Sequence, residues 1–194
     1  MSEKKRLVVG ISGASGAIYG IRLLELLEKT DIETHLVASR AAKATIAAET
    51  GRTLADVTSL ASIAYAPDDI GAAISSGSFH TLGMIVAPCS MRSLAEIAQG
   101  MSAGLLTRAA DVTLKERRRL VLLVRETPLH SGHLRNMLAA SELGAIVAPP
   151  VPAFYNNPQS LEDMVDHTVG RVLDLFGIDC GSVRRWQGMR GGSG

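Results

Sequence analysis

Short, largely apolar runs recur along the chain at residues 7–9, 35–38, 84–87, 120–124 and 145–148. Their apolar residues are continuous rather than alternating, as in strands buried on both faces. Between them the period changes. Ile21, Leu24 and Leu27 repeat at helical spacing, and residues 41–49 are rich in helix-favouring alanine. Near the C-terminus, Ser160 with Asp163 forms a capping signature ahead of Leu161, Met164, Val165, Val169, Val172 and Leu173. Strands alternating with helices predict an α/β fold, a doubly wound parallel sheet covered on both faces in three layers. There is no internal repeat. The 194 residues suit one domain spanning 1–194, with a glycine-rich tail from about residue 188 expected to be flexible.

In such sheets ligands bind beyond the carboxyl ends of the strands. That rule selects residues 12–16, Ser39, residues 88–93, Arg125 with Glu126, and residues 149–155. The first group lies in Gly10-Ile11-Ser12-Gly13-Ala14-Ser15-Gly16, where glycines permit a sharp turn and close approach of an anion. The N–H groups of the following helix would point at that anion, so a nucleotide or flavin phosphate is one reading. An ordinary tight turn is the other. Pro88-Cys89-Ser90-Met91-Arg92-Ser93 offers hydroxyls and backbone donors for further anion or ribityl contacts, although Ser90 equally suits a helix cap. Arg125-Glu126 brings two charges to the same edge, with a surface ion pair as the simpler alternative. Lys115-Glu116-Arg117-Arg118-Arg119 reads as a solvated turn, from which Lys115 could face a phosphate, as could Arg108 upstream. Glu49 ends the alanine-rich helix, a usual place for an exposed acid. Arg171 shares a polar stripe with Asp163, His167 and Asp174, where local pairing is the plain reading.

Composition narrows the partners. Apolar residues at 46% and charged residues at 20% exclude a disordered chain. A net charge of +1 gives no electrostatic case for nucleic acid or an anionic membrane, and 4% aromatics leave few rings to stack bases. Cys89 and Cys180 are isolated, against a disulfide scaffold or zinc site, and Cys89 suits a small buried residue. His130 and His133 lack carboxylate company, so no metal is expected. The charged start, Met1-Ser2-Glu3-Lys4-Lys5-Arg6, has no long apolar segment after it, which predicts a cytoplasmic protein.

Several islands occur together in one order: Gly13-Ala14-Ser15-Gly16, Ser75-Ser76-Gly77-Ser78, Pro88-Cys89-Ser90-Met91, Arg108-Ala109-Ala110-Asp111-Val112 and Leu114-Lys115-Glu116. Arg125-Glu126-Thr127-Pro128-Leu129, Asn136-Met137-Leu138, Pro152-Ala153-Phe154-Tyr155 and Arg185-Trp186 complete them. In that order the chain resembles the UbiX/Pad family of flavin prenyltransferases over nearly its whole length. The resemblance implies a flavodoxin-like (Rossmann-like) fold, a dodecamer, and FMN. It further implies transfer of a dimethylallyl group from dimethylallyl monophosphate to N5 and C6 of reduced FMN, for use by a UbiD-type decarboxylase. By motif matching, Gly13, Ala14, Ser15, Ser39, Ser90, Met91, Arg92, Ser93 and Arg125 would contact FMN. Lys115, Tyr155 and Arg171 would hold the donor phosphate, with Arg108 and Glu126 nearby and neighbouring subunits contributing to the pocket. Ser15 and Glu49 match residues tied to proton handling, and Glu126 the active-site acid. Val124 stands where a proline often precedes the Arg-Glu pair, and Arg135 reverses a charge in the following helix.

Three other functions compete. A cysteinyl decarboxylase carries Asn within Pro-x-Ser-x-Asn, where this chain has Arg92. A short-chain dehydrogenase needs an acidic ribose reader after the second strand and a Tyr-x-x-x-Lys pair, and neither is found. A non-catalytic FMN carrier would share the same pocket and differs only in turnover.

Overall fold

The computed structural model describes residues 4–181 together with 183 and 188. Arg185-Trp186 and, apart from Gly188, the glycine-rich tail lie outside the described residues. Two compact units emerge, Met1–Pro150 and Val151–Gly194.

The first unit is built on six parallel strands: β1 (Arg6–Ile11), β2 (Glu33–Ala38), β3 (Ile63–Tyr65), β4 (Gly83–Cys89), β5 (Arg119–Val124) and β6 (Ile146–Val147). Their order is β3-β2-β1-β4-β5-β6. Every apolar run of the sequence is one of these strands, and the expected doubly wound parallel sheet is present. Without the three-residue β3 at its edge, the order is that of a flavodoxin-like sheet. The helices are α1 (Ala17–Leu27), α2 (Ala42–Thr50), α3 (Leu54–Thr58), α4 (Met91–Ala98), α5 (Leu105–Lys115) and α6 (Ser131–Glu142).

The chain winds outward from β1 to β3, then returns to begin β4 on the other side of β1. Right-handed crossovers in opposite directions put helices on opposite faces. Val8, Met84, Val86, Leu120 and Leu122 point to one face, in a single buried cluster with α4, α5 and Ala140 of α6. The other face takes α1, whose Ile21, Leu24 and Leu27 are wholly buried. A Cβ on Gly20 of this helix would stand 2.3 Å from Ala87 O and 2.8 Å from an Ile11 side-chain carbon. Only glycine lets α1 lie that close to β1 and β4. With few aromatics, the core rests on such aliphatic contacts, each fully buried Leu or Ile contributing about 1.5–3 kcal/mol.

His35, buried within β2, is tolerated because both ring nitrogens have partners, Tyr65 Oη at 2.9 Å and Glu33 Oε1 at 3.1 Å. The second unit holds α7 (Leu161–Asp174), begun as expected by Ser160, whose Oγ accepts the Asp163 N–H at 3.1 Å.

Candidate functional site

One hydroxyl joins the carboxyl ends of β1 and β4, where the strand order reverses. Ser12, with 1% exposure, donates from Oγ to Pro88 O at 2.7 Å and accepts the Ser90 N–H at 2.8 Å. Its own N–H also reaches Pro88 O, at 3.2 Å. Ser90 then caps α4, accepting the Ser93 N–H at 3.2 Å and donating to Ser93 Oγ at 3.1 Å. Gly13 is pressed against the start of α2: an added Cβ would lie 2.5 Å from Ala41 Cβ. Thr45 Oγ1 fixes that turn by donating to Gly13 O at 3.1 Å.

A cavity of about 370 Å³ opens at this point, lined among others by Gly13, Ser39, Ser90, Arg92 and Ser93. The start of α5, at Gly104 and Thr107, forms part of the wall, and the Arg40–Asp68 ion pair (2.6 Å) stands at it. The size falls in the range of small-molecule sites, and its hydroxyls stand beside two guanidiniums, Arg40 and Arg92, the second paired with Glu96 of the same wall at 2.8 Å. Such a polar lining suits a phosphorylated, polyhydroxylated chain. Of the expected FMN residues, Gly13, Ser39, Ser90, Arg92 and Ser93 line this cavity, and their chemistry suits such a group.

A second cluster sits at the start of α1. Glu49 Oε2 accepts the N–H groups of Gly16 at 2.8 Å and Ala17 at 3.0 Å. Those two helix-start donors, which the sequence reading offered to a ligand anion, are held by a carboxylate of the protein itself. Burial pushes the Glu49 carboxyl up, but the Ser15 hydroxyl, both backbone donors and the Arg125 charge outweigh it and hold the pKa below its ordinary value. Burial raises the Tyr19 phenol, with Arg125 partly opposing. Arg125 thus acts on Glu49 and Tyr19, and no Arg125–Glu126 ion pair occurs among the described residues. Glu126 Oε1 instead accepts the Thr127 N–H at 2.9 Å. The surface-pair reading of Arg125 and Glu126 is corrected: the chain turns so that the neighbouring backbone, not the guanidinium, satisfies the carboxylate. Cys89 is fully buried, and burial pushes its thiol up to about 12, which removes it as a nucleophile.

The Flavoprotein family matches residues 1–173. Flavin prenyltransferase UbiX of Escherichia coli (strain K12) is 60% identical over 187 residues, covering 95% of this chain and 99% of the relative. The chain belongs to the UbiX family of flavin prenyltransferases. AnUbiX (PadA1), crystallised with FMN and dimethylallyl pyrophosphate, superposes with a TM-score of 0.95 at 50% identity, covering 97% of this chain and all (100%) of that one. A dodecameric FMN-dependent UbiX-like decarboxylase from Escherichia coli O157:H7 gives 0.92 at 53% identity, covering 94% and 100%.

The other residues singled out from the UbiX motifs are dispersed. Ala14 lies in the β1–α1 turn and Met91 begins α4, packed against the core cluster. Helix α5 runs from the cavity back to the amino edge of the sheet, so Lys115, at its end, precedes the first residue of β5. There Lys115 Nζ meets the Glu116 carboxylate beside Gly77. Lys115, Glu116, Arg117 and Arg119 are exposed, as in the solvated turn expected, while Arg118 folds back to donate to Gly77 O at 2.6 Å and Phe79 O at 2.7 Å. Arg108 lies along the helix, paired with Asp111 at 2.7 Å. By itself this chain therefore does not bring Lys115 to the edge that carries Arg125. In the second unit, Tyr155 Oη hydrogen-bonds His167 Nε2 at 3.1 Å and Arg171 pairs with Asp174 at 2.7 Å. Sequence reasoning placed Ser12 at the ligand edge, Arg118 in a turn and His167 on a polar stripe, but gave none of the bonds that they make.

Proposed function

We propose that this protein transfers a dimethylallyl group from dimethylallyl monophosphate to N5 and C6 of reduced FMN, and that the prenylated flavin serves a UbiD-type decarboxylase. The observation that carries this reading is the cavity at the β1/β4 switch point, lined by Gly13, Ser39, Ser90, Arg92 and Ser93. Bound reduced FMN supplies an electron-rich ring that replaces phosphate on the allylic carbon and closes a fourth ring. The chain's own part is positioning and charge. Gly13, Ala14, Ser15, Ser39, Ser90, Met91, Arg92, Ser93 and Arg125 hold and orient the flavin. Lys115, Tyr155 and Arg171, with Arg108, hold the donor phosphate and stabilise the charge that grows on it as the C–O bond breaks. Glu126 gives a proton to the departing phosphate, and the Ser15–Glu49 pair handles the proton lost as the ring closes.

Lys115 lies at the opposite sheet edge from Arg125, which supports a donor site completed by a neighbouring copy. The dodecameric relative supports the same assembly for this chain. FMN and dimethylallyl pyrophosphate in the complex of AnUbiX support a dimethylallyl phosphate ester as donor. The monophosphate is our finer reading, as is a cytoplasmic location for one flavin-binding domain spanning the chain. Among the described residues no helix is long and apolar enough to cross a membrane.

Release of inorganic phosphate by the isolated protein tests the proposal. Release from dimethylallyl monophosphate that depends on reduced FMN is expected. Bound FMN without phosphate release would make the chain a carrier.

A further inference from the structure

Tyr155 and Arg171 share a neighbour that the family resemblance leaves without a role. His167, Arg171 and Asp174 lie at i, i+4 and i+7 of α7 and so on one face of that helix. His167 is buried, at 6% exposure, with its ring edge-on to Tyr155 at 5.6 Å and 82°. Its Nε2 stands 3.1 Å from Tyr155 Oη, and its Nδ1 is buried without a hydrogen-bond partner among the described residues. Burial holds the ring pKa down, Arg171 adds to that effect and Asp174 opposes it, so the ring is neutral and carries one N–H.

The position of that hydrogen follows from the two environments. On Nδ1 it would be a buried donor without an acceptor, in the field of a guanidinium. On Nε2 it is used, and the bare Nδ1 then leaves no unmet donor in the buried site. We infer that His167 is a positioning residue for the donor site: as the Nε2–H tautomer it donates to Tyr155 Oη, fixes the phenol's rotation and turns that hydroxyl into a donor toward a phosphate oxygen. The inference rests on the reading of Tyr155 as a phosphate ligand. It assigns to a buried histidine the task of setting which way a hydroxyl points.

Steady-state kinetics on the intact protein, with reduced FMN saturating and dimethylallyl monophosphate varied, test it. His167→Leu keeps much of the volume and loses the donor. It should raise the donor KM about three- to ten-fold, the effect of one neutral hydrogen bond, with kcat and FMN affinity little changed. His167→Gln, whose amide can reach the same oxygen, should restore most of the loss. Tyr155→Phe should raise the same KM, and His167→Leu added to it should change nothing more. If Tyr155→Phe raises KM while His167→Leu does not, the inference is overturned and the Tyr155 reading stands. If Tyr155→Phe has no effect, the Tyr155 reading itself fails. Nitrogen NMR of the wild-type ring gives a check independent of folding in the variants: a protonated Nε2 supports the assignment, and a protonated Nδ1 overturns it.

Discussion

Glu49 caps helix α1 from the end of α2: its Oε2 accepts the Gly16 N–H at 2.8 Å and the Ala17 N–H at 3.0 Å. A carboxylate here sits on the positive end of the helix and is stabilised by it. Ser15 hydrogen-bonds the same carboxylate, with Arg125 in its field. One acid thereby organises the loop that faces the cavity and stays charged while doing so.

Replacing Glu49 by Ala should cost about 1 kcal/mol at neutral pH, as for other lost helix caps, read as a lower urea midpoint. The folded pKa of Glu49 lies below its ordinary value of 4.5. Its contribution is therefore complete above that value and is lost as pH falls through the lower, folded one. The gap between wild type and variant should narrow as the pH is taken down from 4.5 through the lower, folded value. A gap that stays constant throughout the acid range contradicts the cap.

Gly13 is required by a close approach. A methyl group there would meet Ala41 Cβ at 2.5 Å, too near for two rigid carbons. Gly13→Ala should cost about 1–3 kcal/mol, as overpacking does, and weaken FMN binding by displacing the turn. Adding Ala41→Gly should recover most of both, since the two positions share the clash. Calorimetry with FMN and thermal melts on the single and double variants check this. No recovery in the double variant would mean that the turn fails for another reason.

Cys89, for all its place between Pro88 and Ser90 at the site edge, should be chemically silent. Its thiol, pushed up to about 12, carries almost no thiolate under mildly alkaline conditions. Iodoacetamide applied to the native protein, followed by peptide mass mapping, should leave Cys89 unmodified until the chain is unfolded. Rapid native labelling of Cys89 contradicts the burial described.

The sheet was legible because β1, β2, β4 and β5 are buried on both faces and read as continuous apolar runs, as does the half-buried β6. Strand β3 was not, because it is three residues long with Ile63 and Ala64 exposed at the edge. Helix α3 is a five-residue turn whose Thr53–Asp56 capping box carries its start signal. At the site, Ser39, residues 90–93 and the Gly13 turn could be found from the rule that ligands gather at carboxyl strand ends. The same rule included Ser12 by position but not its bonds, because its partners Pro88 and Ser90 are 76 and 78 residues away. Glu49 had the same difficulty. It looks like an ordinary acid at a helix end until the fold brings the start of α1 to it.

Glu126 separates chemistry from binding. Its carboxylate is exposed and held by the Thr127 N–H rather than by Arg125. Glu126→Gln keeps the size and an acceptor oxygen but cannot give a carboxylic proton to phosphate. Single-turnover rates with FMN and donor saturating should fall by about 10²–10⁴-fold, with FMN affinity preserved. An unchanged rate in a folded, FMN-loaded variant removes Glu126 from the mechanism.

The most direct measurement is the mass of the flavin after anaerobic incubation of the protein with reduced FMN and dimethylallyl monophosphate. The proposed function predicts FMN carrying one added five-carbon isoprenoid unit, formed together with inorganic phosphate. Recovery of unmodified FMN and intact donor from a protein that binds both would contradict it.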